Sequence, residues 1–151
     1  MTYDDLEPLR EILQRALTRY LSVTPTGFKL IGRSKPEISI EARILAFGGA
    51  RTLYKNRKPD CRSLDGLQSI THQGRTCAGC ELRPQCTPQV RLDVLVDGRP
   101  YRLLLAHTSA RNFLTYEMKL RQKERDYAHV LHRIDVANRG SWGELRFRAV
   151  D

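Results

Sequence analysis

The apolar positions of this chain follow two different periods, and the change between them predicts the elements. Leu6, Leu9, Leu13, Leu17 and Tyr20 recur three or four residues apart, with Ile12 and Ala16 beside them. This spacing predicts an amphipathic helix within residues 1–22, capped by Thr2 or Asp4, with Pro8 confined to its first turn. Ser22 to Pro36 carries proline and glycine at both ends and reads as a connection holding one short strand. From there the period drops to two. Ile38, Ile40, Ala42 and Ile44 alternate with Ser39, Glu41 and Arg43, which predicts a half-buried strand that reaches Gly48-Gly49. Arg51 to Lys58 is expected to continue it beyond a bulge at those glycines.

The alternation resumes at Val90, Leu92, Val94 and Val96, turns at Asp97-Gly98, and returns through Tyr101, Leu103 and Leu105. Two such runs about a two-residue Asp-Gly link predict a hairpin. Thr108 or Ser109 then caps a helix with Ala110, Phe113, Leu114, Met118 and Leu120 on its apolar side. Two further strands place Val130, Ile134 and Val136, then Leu145, Phe147 and Ala149, toward the core. The order strand, loop, hairpin, helix, strand, strand predicts a mainly β domain. It matches an OB-fold-like five-stranded barrel with its helix between the third and fourth strands, a fold that often binds single strands on its sheet face. One domain over residues 1–151 is expected, with the N-terminal helix at 1–22 and an insertion at 58–88.

Composition narrows the function. There are 26 Lys and Arg against 17 Asp and Glu, a net charge of +9, and Arg outnumbers Lys by 20 to 6. The first twenty residues hold four acids and three arginines, so the excess lies downstream and points to a polyanionic partner such as nucleic acid. No run of apolar residues is long enough to span a membrane. The acidic, periodic N-terminus suits neither a signal nor a transit peptide, so a cytoplasmic setting in a bacterial host is expected.

All four cysteines, Cys61, Cys77, Cys80 and Cys86, fall in one window with little hydrophobic content. In a reducing compartment, clustered cysteines favour metal binding or redox chemistry over structural disulfides. The C-x-x-C pair can place two thiolates on one ion, with Gly79 easing the turn, and two further cysteines complete a closed tetrahedral set. A closed set is structural, so Zn2+ is expected to pin a segment that has no core of its own. An iron–sulfur cluster is the alternative cofactor, and His72 the alternative ligand.

The run Cys61-Arg62-Ser63 with Asp65-Gly66, the C-x-x-C pair, and the Ser109, Phe113, Tyr116 pattern resemble a family of phage and mobile-element proteins. These are zinc-ribbon-containing, OB-fold-like single-stranded-DNA-binding proteins, and the resemblance runs from about Arg51 to Val150. It implies zinc on the four cysteines and sequence-independent binding of single strands, in replication or recombination of such an element. Members carry a longer, aromatic insert where this chain has only the five residues between Cys80 and Cys86.

Single-strand binders combine cations with aromatic faces. Arg51, Tyr54, Lys55, Arg57 and Lys58 meet that description beside the cysteine segment, and Arg62 adjoins them. Trp142, Arg146 and Arg148 share the outward parity of the last strand, Arg133 that of its neighbour, and Tyr101 is a further aromatic candidate. Catalysis is not expected. Asp60, Asp65, Glu81, Asp93, Asp97, Glu117, Asp135 and Glu144 form no metal-binding motif, and His72, His107, His129 and His132 belong to no hydrolase pattern. A second reading is a non-catalytic subunit of a larger nucleoprotein complex, for replication, transposition or RNA-guided work, in which RNA replaces DNA. A homo-oligomer is also compatible with the sequence.

Overall fold

The computed structural model describes residues 19–72 and 74–150. Strands dominate: β1 (Arg19–Tyr20), β2 (Ser22–Thr24), β3 (Gly27–Lys29), β4 (Ser39–Lys55), β5 (Lys58–Ser63), β6 (Thr87–Val96), β7 (Arg99–Ala106), β8 (Leu131–Asn138) and β9 (Gly143–Val150). One α-helix, α1 (His107–Gln122), lies between β7 and β8. Most of the expected N-terminal helix lies outside the described residues. Where they begin, Arg19–Tyr20 is strand, so the helix does not reach residue 22. The following connection is a hairpin of two short strands, and its Phe28 is fully buried.

β4 organises the molecule. Its first half pairs with β8 and its middle with β6, while its last residues take β5 beyond the end of β8. It runs unbroken through Gly48-Gly49; the register shifts fall at Ile44/Ala46 and Leu53/Tyr54. Ile40, Ala42 and Ile44 point inward as the alternation requires, whereas Ile38 precedes the strand and is exposed. The β6–β7 hairpin turns on Asp97 and Gly98, both at positive φ, as an Asp-Gly link favours.

The main sheet has seven strands among the described residues, in the order β1-β7-β6-β4-β8-β9 with β5 also on β4, and it is mixed because β1 runs parallel to β7. The five-stranded barrel expected from the sequence does not close, since β7 and β9 do not pair. The physical reason is visible at β9. The Leu145 amide donates to Ser109 Oγ at 3.0 Å and the Leu145 carbonyl accepts from Asn112 Nδ2 at 2.9 Å. Two helix side chains thus satisfy backbone groups that a closing strand would have used. On the other side, β1 takes the edge of β7. The β2–β3 turn meanwhile comes so close to Gly143 that a Cβ there would lie 2.7 Å from the Thr24 carbonyl oxygen.

The core fills the inside of this curled sheet. Ile44, Leu92, Val94, Leu103, Leu105, Ile134 and Leu145 meet Phe28 from the hairpin and Phe113 from α1. Phe113 packs edge-on against Phe47 and Phe147, with ring centroids at 5.1 and 5.4 Å. Neither Thr108 nor Ser109 caps α1; the N-cap is Ala106, and the Ser109 hydroxyl is engaged by β9. The buried face of the helix is Ser109, Phe113, Glu117 and Leu120, leaving Leu114 and Met118 exposed. No helix among the described residues is long and apolar enough to cross a membrane.

Candidate nucleic-acid interface and cysteine site

The cysteine segment is held by its own turns and by a few strand contacts. Ser63, buried at the end of β5, donates to Asp65 Oδ1, which also accepts from the amides of Leu67 at 2.7 Å and Gln68 at 3.0 Å. These bonds, the Gln68 amide foremost, hold the Asp65 carboxyl below its usual range. The Cys77 amide donates to the Leu67 carbonyl at 2.7 Å, and the Cys80 amide to the Cys77 carbonyl at 3.3 Å. Gly79 sits at φ +73, the left-handed conformation that the C-x-x-C turn needs. Cys61 comes from β5, and Cys86 follows a single 3-10 turn, Arg83–Gln85.

These turns bring all four cysteines to the wall of one small cavity of about 20 Å3, room for a single ion or water. Arg51, Arg75 and Arg83 share that wall. Burial pushes the Cys86 thiol up, and the nearby Cys61, Cys80 and Cys77 push it further, while Arg51 opposes them. Among the described residues no three His, Cys, Asp or Glu side chains are disposed to hold a metal ion as they stand. His72 turns away, its Nε2 at 3.0 Å from the Asp60 carbonyl.

The expected cationic residues divide into two groups. Arg51, Tyr54, Lys55, Arg57, Lys58 and Arg62 all lie on the β4–β5 hairpin, whose turn sets Asn56 and Arg57 at φ 51 and 65. Glycine is the usual second residue of such a turn, so Arg57 holds its charge at the tip against a backbone preference. Lys55 pairs with Asp60 at 3.5 Å, and Tyr54 accepts from Gln89 Nε2 at 3.2 Å while its ring stays exposed. Arg133, Arg146 and Arg148 form the second group, on the outer face of β8 and β9. There Arg133 meets Glu41 at 2.6 Å, Arg146 meets Glu144 at 2.9 Å and Arg148 lies 3.8 Å from Asp135. Arg146 holds the Glu144 carboxyl below its usual range. Tyr101 is a correction: it is 3% exposed in the core, its hydroxyl accepting from the Ile31 amide.

The sequence reading missed Tyr20 and Arg102. Tyr20, exposed on β1, pairs in register with Arg102 of β7. The Arg62 guanidinium lies 4.9 Å from the Tyr20 ring centroid and that of Arg102 lies 6.0 Å away. Strands β7, β6 and β4 stand between β1 and β5, roughly 19 Å at ~4.8 Å per spacing. Arg62 and Tyr20 therefore reach toward each other across the sheet, above Thr52, Gln89 and Arg91. Thr52 and Gln89 are buried beneath, with Thr52 Oγ1 donating to Gln89 Oε1 at 2.7 Å and accepting from Arg62 Nε at 3.3 Å. A helical reading of Tyr20 hid this, because only the pairing of β1 with β7 brings that ring onto the sheet.

No protein-family model, no curated protein and no solved structure matches this chain.

Proposed function

We propose that the protein binds single-stranded nucleic acid, DNA in the first instance, without sequence preference, along the sheet face spanned by Tyr20, Arg62, Arg102 and Tyr54. The observation that carries this reading is the arginine–tyrosine contact across the sheet: the exposed Tyr20 ring held beside the guanidinium groups of Arg62 and Arg102, in a chain of net charge +9. Aromatic faces take bases and guanidinium groups take phosphates. The succession β4, β6, β7, α1, β8, β9 supports an OB-fold ancestry in which the closing strand pair has been replaced by helix side chains. Many of the carboxylates are engaged in ion pairs, Glu41, Asp93, Glu117, Asp135 and Glu144 among them, which favours a binder over a metal-dependent nuclease.

Cys61, Cys77, Cys80 and Cys86 would hold a structural Zn2+ behind this face, since Cys61 and Arg62 are consecutive on β5 and point to opposite sides of the sheet. They fit it in kind and number, since four thiols wall a cavity of ionic size with arginines to offset the charge of a tetrathiolate. The resemblance to phage and mobile-element proteins extends the proposal to a role in replication or recombination of such an element.

The test is fluorescence anisotropy of a labelled oligothymidylate with increasing salt, alongside elemental analysis of the purified protein. Affinity should fall with salt at a log–log slope of about −0.7 per phosphate neutralised. Tyr20→Ala should weaken binding by ~1–3 kcal/mol if a base stacks there. One zinc per chain is expected; iron would identify a cluster instead. Binding that ignores salt between ~50 and ~300 mM would remove the backbone-dominated mechanism.

A further inference from the structure

Two residues along β7 from Arg102, on the same face and about 7 Å away, is Leu104. It lines a cavity of about 410 Å3 that occupies the gap where β7 and β9 fail to pair. Its walls are mostly carbon, from Val23, Leu104, Leu105 and Leu145, with Trp142 at its rim, 44% exposed. On the far side of the bonds from Ser109 and Asn112 to Leu145 lies a second groove, of about 470 Å3, between α1 and β9. Arg111, Lys119 and Arg146 line it. Its acid, Glu144, is already held by Arg139 and Arg146. An open apolar slot with an exposed indole suits a flat group that keeps its polar edge in water. The cationic groove beside it suits an anion attached to that group. A nucleotide is both.

We propose that the gap between β7 and β9 is a nucleobase pocket, and that a strand leaving the sheet face turns through it into the groove between α1 and β9. The proposal rests on the single-strand reading and gives the strand a path. One base stacks on Trp142, and the phosphates that follow meet Arg111 and Lys119. From His107 to Lys119 the helix rises about 18 Å, which leaves space for more than one nucleotide.

Trp142 is the chain's single tryptophan, so it reports on its own pocket. The experiment titrates oligothymidylate into the full chain, following tryptophan emission and, separately, the anisotropy of a labelled strand. Emission should be quenched in step with binding. An abasic oligomer should bind through its phosphates without quenching. Trp142→Ala should bind about 5- to 150-fold more weakly, the equivalent of the ~1–3 kcal/mol of one base stack, while Trp142→Phe stays within about threefold. Arg111→Glu with Lys119→Glu should flatten the salt slope by roughly 0.7 for each phosphate no longer neutralised. Normal anisotropy with unmoved emission, and a Trp142→Ala protein that binds as tightly as the parent, would overturn the pocket and leave the single-strand reading standing. If no oligonucleotide binds at any salt, that reading itself fails and the pocket with it. Circular dichroism of each variant separates weakened binding from failed folding.

Discussion

At the scale of single residues, His132 shows how much a buried polar group depends on its partners. It is fully buried on β8, where its Nδ1 lies 2.6 Å from the Tyr116 hydroxyl and its Nε2 lies 2.8 Å from the Tyr127 carbonyl. The carbonyl can only accept, so Nε2 carries the proton and Nδ1 accepts from Tyr116. Burial pushes the His132 pKa down; the Tyr127 bond pulls the other way, and Arg43 and Arg125 add to the fall. The unfolded chain therefore takes up a proton at an ordinary histidine pKa of about 6.5 while the fold resists it. Stability from this group is complete above that pH and is lost as pH falls toward the depressed folded value. Melting temperature should decline between pH 7 and pH 5, and His132→Gln should flatten that decline; an equal slope in both proteins would count against His132. The parity of β8 already marked position 132 as inward, but the resemblance pattern that singled out Tyr116 gave no hint of its partner. That pairing exists only because α1 lies across β8 and β9.

At the scale of elements, the junction of α1 with β9 determines the shape of the sheet. Ser109→Ala leaves the buried Leu145 amide without an acceptor, a loss of about 1–3 kcal/mol. Chemical denaturation should show this as a lower midpoint with an unchanged slope. Strands β6, β7, β8 and β9 were legible from their alternation, and so was the Asp97-Gly98 turn, because each buries one face and exposes the other. The helix was legible in place but rotated in detail. Leu114 and Met118 look like core by composition, yet the face that packs is Ser109, Phe113, Glu117 and Leu120, with Glu117 covered by Arg121 at 2.8 Å. The open barrel was not legible at all, since it depends on which groups satisfy Leu145, a question of three-dimensional proximity. The same holds for the proposed interface. The β4–β5 cations could be read from the sequence, whereas Tyr20 could not, its neighbours having the spacing of a helix.

At the scale of the whole molecule, the described residues form a hydrophobic body and a polar appendage. Among the described residues, the main core cluster and its partly buried flank draw none from between Phe47 and Val90, so the cysteine segment adds nothing to it and takes little from it. If zinc holds that segment, chelation should release it alone. Trypsin should then cut after Arg75 while the thermal transition of the β body persists; a segment equally protected with and without chelator would show that its turns suffice. The long strand β4 carries a further consequence, for the time course of folding. Its middle pairs with β6 once the cysteine excursion has been looped out, but Ser39 meets Asp135 only after most of the described chain has been made. Contacts between such distant residues cost loop-closure entropy before they return any energy, and they slow a protein's search for its native state. On a ribosome, the first half of β4 would wait with one edge bare until β8 emerges, and an exposed strand edge is an invitation to other chains. The row of Ser39, Glu41 and Arg43 on its outer face puts charge beside that bare edge, a safeguard suited to the interval.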